Sequence, residues 1–193
     1  LKGADIGNYT LEQPVGFMAD ITPATLTVMG AVAQDKVYDG TTDAVITGAL
    51  LVGVVGTEDV ELDSIAGAFA QAHVGTDIAV AGMLTLKGVD IGNYSLIQPI
   101  GLMADIAKAI PIVTTEPTAS DILDGYALSA SILSGGEASV PGTFAFTLPA
   151  TIPNVGTANQ SVTFTPDDAD NYETVVFDVS VTVVILQPIV AWG

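Results

Sequence analysis

The segment Leu86–Ile106 reads LKGVDIGNYSLIQPIGLMADI, and the prediction of the fold starts from it. Leu1–Ile21 reads LKGADIGNYTLEQPVGFMADI, so 16 of the 21 positions are identical in the two copies. The copies lie 85 residues apart, a spacing typical of an immunoglobulin-sized β module. We therefore expect Leu86–Ile106 to close a complete module. Leu1–Ile21 is expected to be the C-terminal end of another module, whose earlier strands lie elsewhere.

The repeat divides the chain into three parts: 1–24 is the end of a truncated repeat, 25–109 a complete module, and 110–193 a module of a second type. Short β-branched runs between glycine turns predict strands, and no capped run of helical period stands out. The strands predicted in 25–109 are Thr25–Val32, Ala44–Leu51, Val60–Ile65, Ile78–Leu86, Tyr94–Gln98 and Leu102–Ile106. Those predicted in 110–193 are Ile112–Thr115, Ala127–Ile132, Gly142–Leu148, Gln160–Thr165 and Thr174–Val184.

These strands predict an all-β fold of tandem immunoglobulin-like β-sandwich modules, because their spacing of about 8–15 residues is typical of sandwiches and small barrels. A β-grasp-like variant of the module at 25–109 is the alternative. The junctions Ile21–Ala24 and Ala107–Pro111 are short and contain proline, which stiffens a linker. Stiff junctions between β modules favour an extended rod.

Charge and composition exclude several classes of function. The formal net charge is −18, from 22 acidic and 4 basic side chains, and this field repels nucleic acids and anionic membrane surfaces. The longest candidate for a membrane-spanning segment, Val179–Gly193, has only 15 uncharged residues and is interrupted by Pro188. A membrane-spanning helix needs about 20 apolar residues, so no membrane insertion is expected. With one histidine, no cysteine and no nucleophile–base motif, we expect neither an enzyme nor an organic cofactor.

A tyrosine motif recurs in each part of the chain. Asp90, Asn93 and Tyr94 have the spacing of a tyrosine corner, in which a buried tyrosine hydroxyl bonds to upstream backbone. The same pattern ends at Tyr9 in the first copy and at Asn171–Tyr172 in the last module. We therefore predict that Tyr94 and Tyr172 are buried, with hydroxyls bonded to the backbone.

A second tyrosine motif is Lys36–Thr42, KVYDGTT. Asp39 and Gly40 form a dipeptide that favours a tight hairpin turn, and Tyr38 is expected to pack beside it. A role for Tyr38 in stacking against a sugar is the alternative.

Together these motifs carry a resemblance. KVYDGTT, followed about 50 residues later by LKGVDIGNYSLIQP, resembles the YDG-type repeats and mostly-β glycine-rich repeats of large bacterial surface adhesins, such as filamentous-haemagglutinin-like proteins. GTFAF, VTFTP and DNY in residues 142–172 are similar to a bacterial immunoglobulin-like repeat of the same proteins. The resemblance implies a stalk or spacer in an extracellular protein at a bacterial cell surface, and it implies no catalytic residues.

Acidic side chains suggest a cation site. Asp167, Asp168 and Asp170 form the densest acidic cluster, and carboxylates on loops are ligands that Ca²⁺ prefers. We consider a calcium site at this loop, although the cluster lacks the spacing of known calcium loops.

The first copy also suggests assembly. Apolar residues alternate along it and, if unpaired, would expose an apolar face and strand edges that promote association. Donation of Leu1–Ile21 to a neighbouring copy would make a fibre, whereas the alternative is a window cut from a longer tandem array. The expected partners are thus neighbouring modules or copies, or a surface glycan. The residues assigned to assembly are Tyr9, Leu11, Val15, Phe17 and Trp192.

Overall fold

The computed structural model describes residues 1–186, and these residues form an all-β protein. Within this range the helices are three short 3-10 helices, Ile6–Asn8, Ile91–Asn93 and Leu128–Ala130. No helix in the described range is long and apolar enough to span a membrane. The all-β prediction is confirmed, and residues 1–186 contain no α-helix of the kind that a β-grasp lays across its sheet.

Residues 24–107, here called the N-terminal module, contain eleven strands. In chain order they are β1 (Ala24–Met29), β2 (Val32–Ala33), β3 (Lys36–Val37), β4 (Asp43–Thr47), β5 (Leu50–Val52), β6 (Glu61–Leu62), β7 (Ala66–Phe69), β8 (Gly75–Gly82), β9 (Leu86–Lys87), β10 (Tyr94–Leu96) and β11 (Leu102–Ala107).

The strands of the N-terminal module form two main sheets. One sheet has the order β10-β1-β5 and the other β2-β4-β7-β8-β11-β3, while β6 pairs with β9. Two pairs are parallel, β1 with β10 and β3 with β11, so strands from the two ends of the module lie side by side. The larger sheet buries Ile46, Phe69, Val80 and Ile106, and the smaller one covers Leu26.

Residues 109–186, here called the C-terminal module, contain eight strands and a separate core. Four of them form a sheet in the order β14-β19-β18-β17, and the pairs β12–β16 and β13–β15 lie outside it. The central pair of long strands buries Val162, Val179 and Val181, as their period-two alternation predicts. The strands are β12 (Val113–Thr115), β13 (Thr118–Ala119), β14 (Ile122–Leu123), β15 (Leu133–Ser134), β16 (Glu137–Ala138), β17 (Gly142–Phe146), β18 (Gly156–Pro166) and β19 (Val175–Val184).

One predicted strand is wrong. Residues 127–132 contain the 3-10 helix Leu128–Ala130 instead of a strand. The backbone N–H groups of Leu128 and Ser129 bond to the carbonyl oxygens of Thr151 and Pro149, so a distant loop fixes this segment, with Leu128 fully buried.

The first copy of the repeat forms no strand. Residues 1–23 are exposed throughout, and their regular structure is the 3-10 helix Ile6–Asn8. The strands expected by analogy with Leu86–Ile106 are therefore absent from the first copy, because no sheet lies beside it to pair with them.

Candidate functional site at the module junction

The YDG motif forms a loop that is held together by one carboxylate. Asp39 Oδ1 accepts hydrogen bonds from Lys36 Nζ at 2.8 Å, from the Thr41 backbone N–H at 2.9 Å and from Thr41 Oγ1 at 2.8 Å. These donors, the Lys36 ammonium first, lower the pKa of Asp39 to about 2. The hydrogen bonds to the ionised Asp39 carboxylate therefore stabilise the folded state fully above the ordinary pKa of 3.8. This stabilisation is lost as the pH falls through about 2.

The hairpin predicted at Asp39–Gly40 is wrong. Gly40 has the positive φ of a turn, 77°, but the flanking strands β3 and β4 do not pair with each other. β3 pairs with β11 instead, and the Tyr38 N–H extends that pairing to the Ala107 carbonyl at 2.8 Å. The YDG loop consequently lies where the N-terminal module ends.

Lys36 links this loop to the core. Its side chain is only 16% exposed, and its ammonium lies 5.5 Å from the centre of the buried Phe69 ring, a favourable cation–π geometry. Its Nζ also donates to the Thr41 carbonyl at 2.8 Å. The Lys36 side chain thus connects the YDG loop to the hydrophobic core at Phe69.

The connection between the modules is short and bonded on both sides. Lys108 Nζ donates to the Ala169 carbonyl at 2.6 Å. The Ala109 N–H donates to the Asn171 carbonyl at 3.0 Å, and the Glu173 N–H donates to the Ala109 carbonyl at 2.9 Å. The linker is therefore held as a β-bridge against the C-terminal module.

Asn171 is the centre of the junction, with only 4% of its surface exposed. Its Oδ1 accepts from the backbone N–H of Val74 at 3.0 Å, across the module boundary. Its Nδ2 donates to both carboxylate oxygens of Asp168, at 3.1 and 2.9 Å, and lies 3.2 Å from His73 Nδ1. Because buried amides must be paired, this network fixes how the two modules meet.

Tyr172 differs from the prediction. It is half-buried rather than buried, and no hydrogen bond of its hydroxyl joins it to another described residue. Its ring instead meets the ring of Tyr38 edge-on, with centroids 5.4 Å apart, an arrangement that aromatic pairs prefer. The YDG tyrosine therefore contacts the following module, and Asn171 takes the buried position that was expected for Tyr172.

The acidic loop does not converge on a cation site. Among residues 1–186 no three His, Asp or Glu side chains are arranged to hold a metal ion. Asp168 is bound to the Asn171 amide, while Asp168 and Asp170 line one side of an open cleft of about 580 Å³ beside His73. The calcium site proposed for Asp167, Asp168 and Asp170 is therefore not supported, because the Asp168 carboxylate already has a structural partner.

Tyr94 behaves as a tyrosine corner of the N-terminal module. Its side chain is 8% exposed, and its hydroxyl accepts from the Val55 N–H at 2.9 Å and donates to the Glu58 carboxylate. The hydrogen bond to Glu58, together with burial, raises the pKa of Tyr94 above 10. The backbone partner is 39 residues away in sequence, so the tyrosine ties the end of the module to its middle.

The rest of Leu86–Ile106 is bonded to the module as well. Asp90 Oδ2 accepts from the Asp59 N–H at 2.9 Å, while a Cβ at Gly88 would collide with the Asp59 carbonyl oxygen. Gln98 bonds the backbone of Leu84 through both ends of its amide, each at 2.8 Å. In contrast to Asp90 and Tyr94, Asn93 is exposed.

The residues assigned to assembly are exposed in the described chain. Tyr9 is 71%, Leu11 53%, Val15 92% and Phe17 80% exposed. None of them is brought to the junction, and Trp192 lies outside the described residues.

Several junction residues were missed in the sequence. His73 and Lys108 follow no local pattern, because their partners Asn171 and Ala169 lie in the C-terminal module. Lys36 belongs to the KVYDGTT motif, but its contact with Phe69 is remote in sequence and was not predicted. The basic residues are few enough, four in the chain, that each could have been expected to have a specific partner.

The fold and the junction thus define a protein of tandem β modules in which the YDG motif faces the next module. Comparison with protein families finds a YDG domain at residues 22–101. A comparison with curated proteins finds no match.

Proposed function

We propose that this chain is a structural spacer of an extracellular bacterial adhesin or surface filament, and that it acts by holding successive β modules at a fixed angle. The observation that carries the proposal is the junction, where Asn171 of the C-terminal module bonds to Val74 of the N-terminal module and Lys108 bonds the linker to the C-terminal module. A flexible linker would leave such groups to water, whereas a spacer must keep its direction over many modules.

The YDG domain and the sequence resemblance support this proposal, and so does the charge. A net charge of −18 keeps an exposed protein soluble and discourages non-specific association. A location at the bacterial surface is part of the proposal. Antibody labelling of intact cells that make the protein should detect residues 24–186, and labelling only after lysis would count against this location.

Rigidity can be measured directly, because the chain has no cysteine and spin labels can be attached to introduced ones. Val45 and Ser180 are exposed strand residues in the two modules. In the Val45→Cys, Ser180→Cys chain we expect electron–electron distance measurements to give one narrow distribution.

The matched variants are Asn171→Ala and Asn93→Ala. Asn171→Ala removes the bond to Val74 and should broaden the distribution. Asn93 precedes Tyr94 as Asn171 precedes Tyr172, but it is exposed, so Asn93→Ala should leave the distribution narrow. A broad distribution in the parent chain contradicts the spacer proposal.

A further inference from the structure

The first copy, Leu1–Ile21, differs at five positions from Leu86–Ile106, here called the docked copy, and four of these positions are exposed in the docked copy. The differing positions of the docked copy include Val89, 84% exposed, Ile97, 55%, and Ile100, 91%; Ser95 is also exposed and Leu102 is half-buried. The buried positions are identical in the first copy. Tyr94, Ala104 and Ile106 are 8%, 5% and 1% exposed, and they match Tyr9, Ala19 and Ile21.

Residues 1–9 also keep the backbone of the docked copy without any docking partner. Asp5 has φ −99° and ψ 20°, against −100° and 6° for Asp90. Gly3 has φ 132°, against 123° for Gly88. The Asn8 N–H bonds to the Asp5 carbonyl at 3.0 Å, as the Asn93 N–H does to Asp90. The turn of the first copy is therefore preorganised, which lowers the entropy lost on docking.

Gly3 gives the sharpest sign of a missing neighbour. In the docked copy, glycine is required at 88 because the Asp59 carbonyl approaches too closely for a Cβ. In the first copy nothing lies within 4 Å of the position that a Cβ of Gly3 would occupy. The first copy thus keeps the glycine and the positive φ that allow a carbonyl group to approach closely, but no carbonyl group approaches Gly3.

We propose that residues 1–21 are the closing segment of a further YDG-type module, whose partner is a β-framework built like residues 24–85 and joined directly ahead of Leu1. In the N-terminal module this framework supplies β1 for β10, β8 and β3 for β11, and β6 for β9. A second copy of this chain fits less well, because its framework already holds its own Leu86–Ile106. Val15 matches the exposed Ile100, so Val15 is not a docking residue, whereas Tyr9, Leu11 and Phe17 are.

The proposal can be tested by fusing a copy of residues 22–85 directly before Leu1 of the full chain, so that the join reproduces the sequence Thr85–Leu86. We expect the fused framework to dock residues 1–21 and to add a cooperative unfolding transition. Amide exchange of residues 9–21 should slow by about 100-fold or more relative to the unfused chain, as in stably paired strands. Unchanged exchange in a fusion that gains a folded module overturns the proposal.

Gly3→Val is the matched control. In the fusion it should restore fast exchange in residues 9–21, because the added side chain would meet the carbonyl equivalent to that of Asp59. In the unfused chain it should change neither exchange nor melting of the two modules. Protection that survives Gly3→Val in the fusion would show a different mode of docking and would contradict the proposal.

A second variant covers the case in which the fusion does not fold. This variant gives residues 86–106 of the full chain the sequence of the first copy. Its five substitutions are Val89→Ala, Ser95→Thr, Ile97→Glu, Ile100→Val and Leu102→Phe. We expect this variant to melt within about 5 °C of the parent, because four of the five positions are exposed. Loss of the N-terminal module in this variant would show that the first copy cannot close such a framework.

Sedimentation of the unfused chain distinguishes the source of the partner. A monomer is expected, and a dimer with protected residues 9–21 would assign the partner to a second copy and overturn the proposal. None of these outcomes depends on the angle between the two modules, so this inference and the spacer proposal can fail separately.

Discussion

The docked segment Leu86–Ile106 and its unpaired copy Leu1–Ile21 have almost the same sequence and the same turns, but only the docked segment forms strands. Its 3-10 helix and glycine φ values recur in the copy, because residues near in sequence determine them. Its strands β9, β10 and β11 do not recur, because each needs a partner strand. The comparison separates what this sequence encodes locally from what only the module supplies.

The largest difference between the two copies in the effect of a substitution on stability is expected at Gly88. Gly88→Val places a side chain against the Asp59 carbonyl and a β-branched residue at φ 123°, so we expect a loss of about 2–4 kcal/mol in the free energy of unfolding of the N-terminal module. Gly3→Val at the matching position should cost less than about 0.5 kcal/mol. Denaturant unfolding of both variants measures the difference, and equal losses would contradict it.

The next effect concerns the tyrosine hydroxyl. Tyr94→Phe leaves the Val55 N–H and the Glu58 carboxylate without their partner, and we expect the melting temperature of the module to fall by about 5–10 °C. The matched change Tyr9→Phe should leave the melting temperature unchanged. Thermal scans followed by circular dichroism test the pair, and an unchanged midpoint for Tyr94→Phe would show that the hydroxyl is not structural.

The pH dependence of stability gives a second test of the Tyr94 hydroxyl. The hydrogen bond to Glu58, together with burial, raises the pKa of Tyr94 above 10, so below pH 10 the phenol is protonated in both the folded and unfolded states. Above pH 10 the unfolded state ionises first, and the contribution of Tyr94 to stability falls until the raised pKa is passed. The melting temperature of the parent chain should therefore decline more steeply above pH 10 than that of Tyr94→Phe. Parallel curves would contradict the assignment.

The smallest effect is expected where the copies differ. Ile97 is 55% exposed, and its counterpart in the first copy is Glu12. Ile97→Glu should change the free energy of unfolding by less than about 0.5 kcal/mol, because an exposed side chain has little to lose. A loss comparable to that of Gly88→Val would mean that the differing positions are not free to vary.

The repeat and the period-two alternation in the sequence predicted which residues are buried. The identical positions of the repeat include Tyr94 and Ile106, which the structure buries, and the alternation in residues 161–165 predicted the inward faces of Val162 and Phe164. Prediction from the sequence failed where the partner strand is remote along the chain. Asp39–Gly40 has a turn composition, but the pairing of β3 with β11 lies outside any local window.

The candidate junction was predicted only in part. Asn171 and Tyr172 were recognised as a motif, but their roles were reversed, because the Asn171 amide bonds to Val74, 97 residues away. The Asp167–Asp170 cluster looked like a cation site since composition cannot show that Asp168 already binds an amide. Contacts between modules follow from how the modules meet, and no periodicity in either module records that.

The parallel pairing of β1 with β10 has a mechanical consequence. A tensile force on the chain draws β1 towards its own beginning and β10 towards its own end, so parallel strands slide past each other rather than peel apart. The pairs Ala24–Tyr94, Thr25–Ser95 and Leu26–Leu96 then share the load and must break together. The parallel pair of β3 with β11 is loaded in the same sense. Because forced unfolding is governed by the unfolding rate, we expect the N-terminal module to yield to stretching in single, high-force steps when pulled from its two ends.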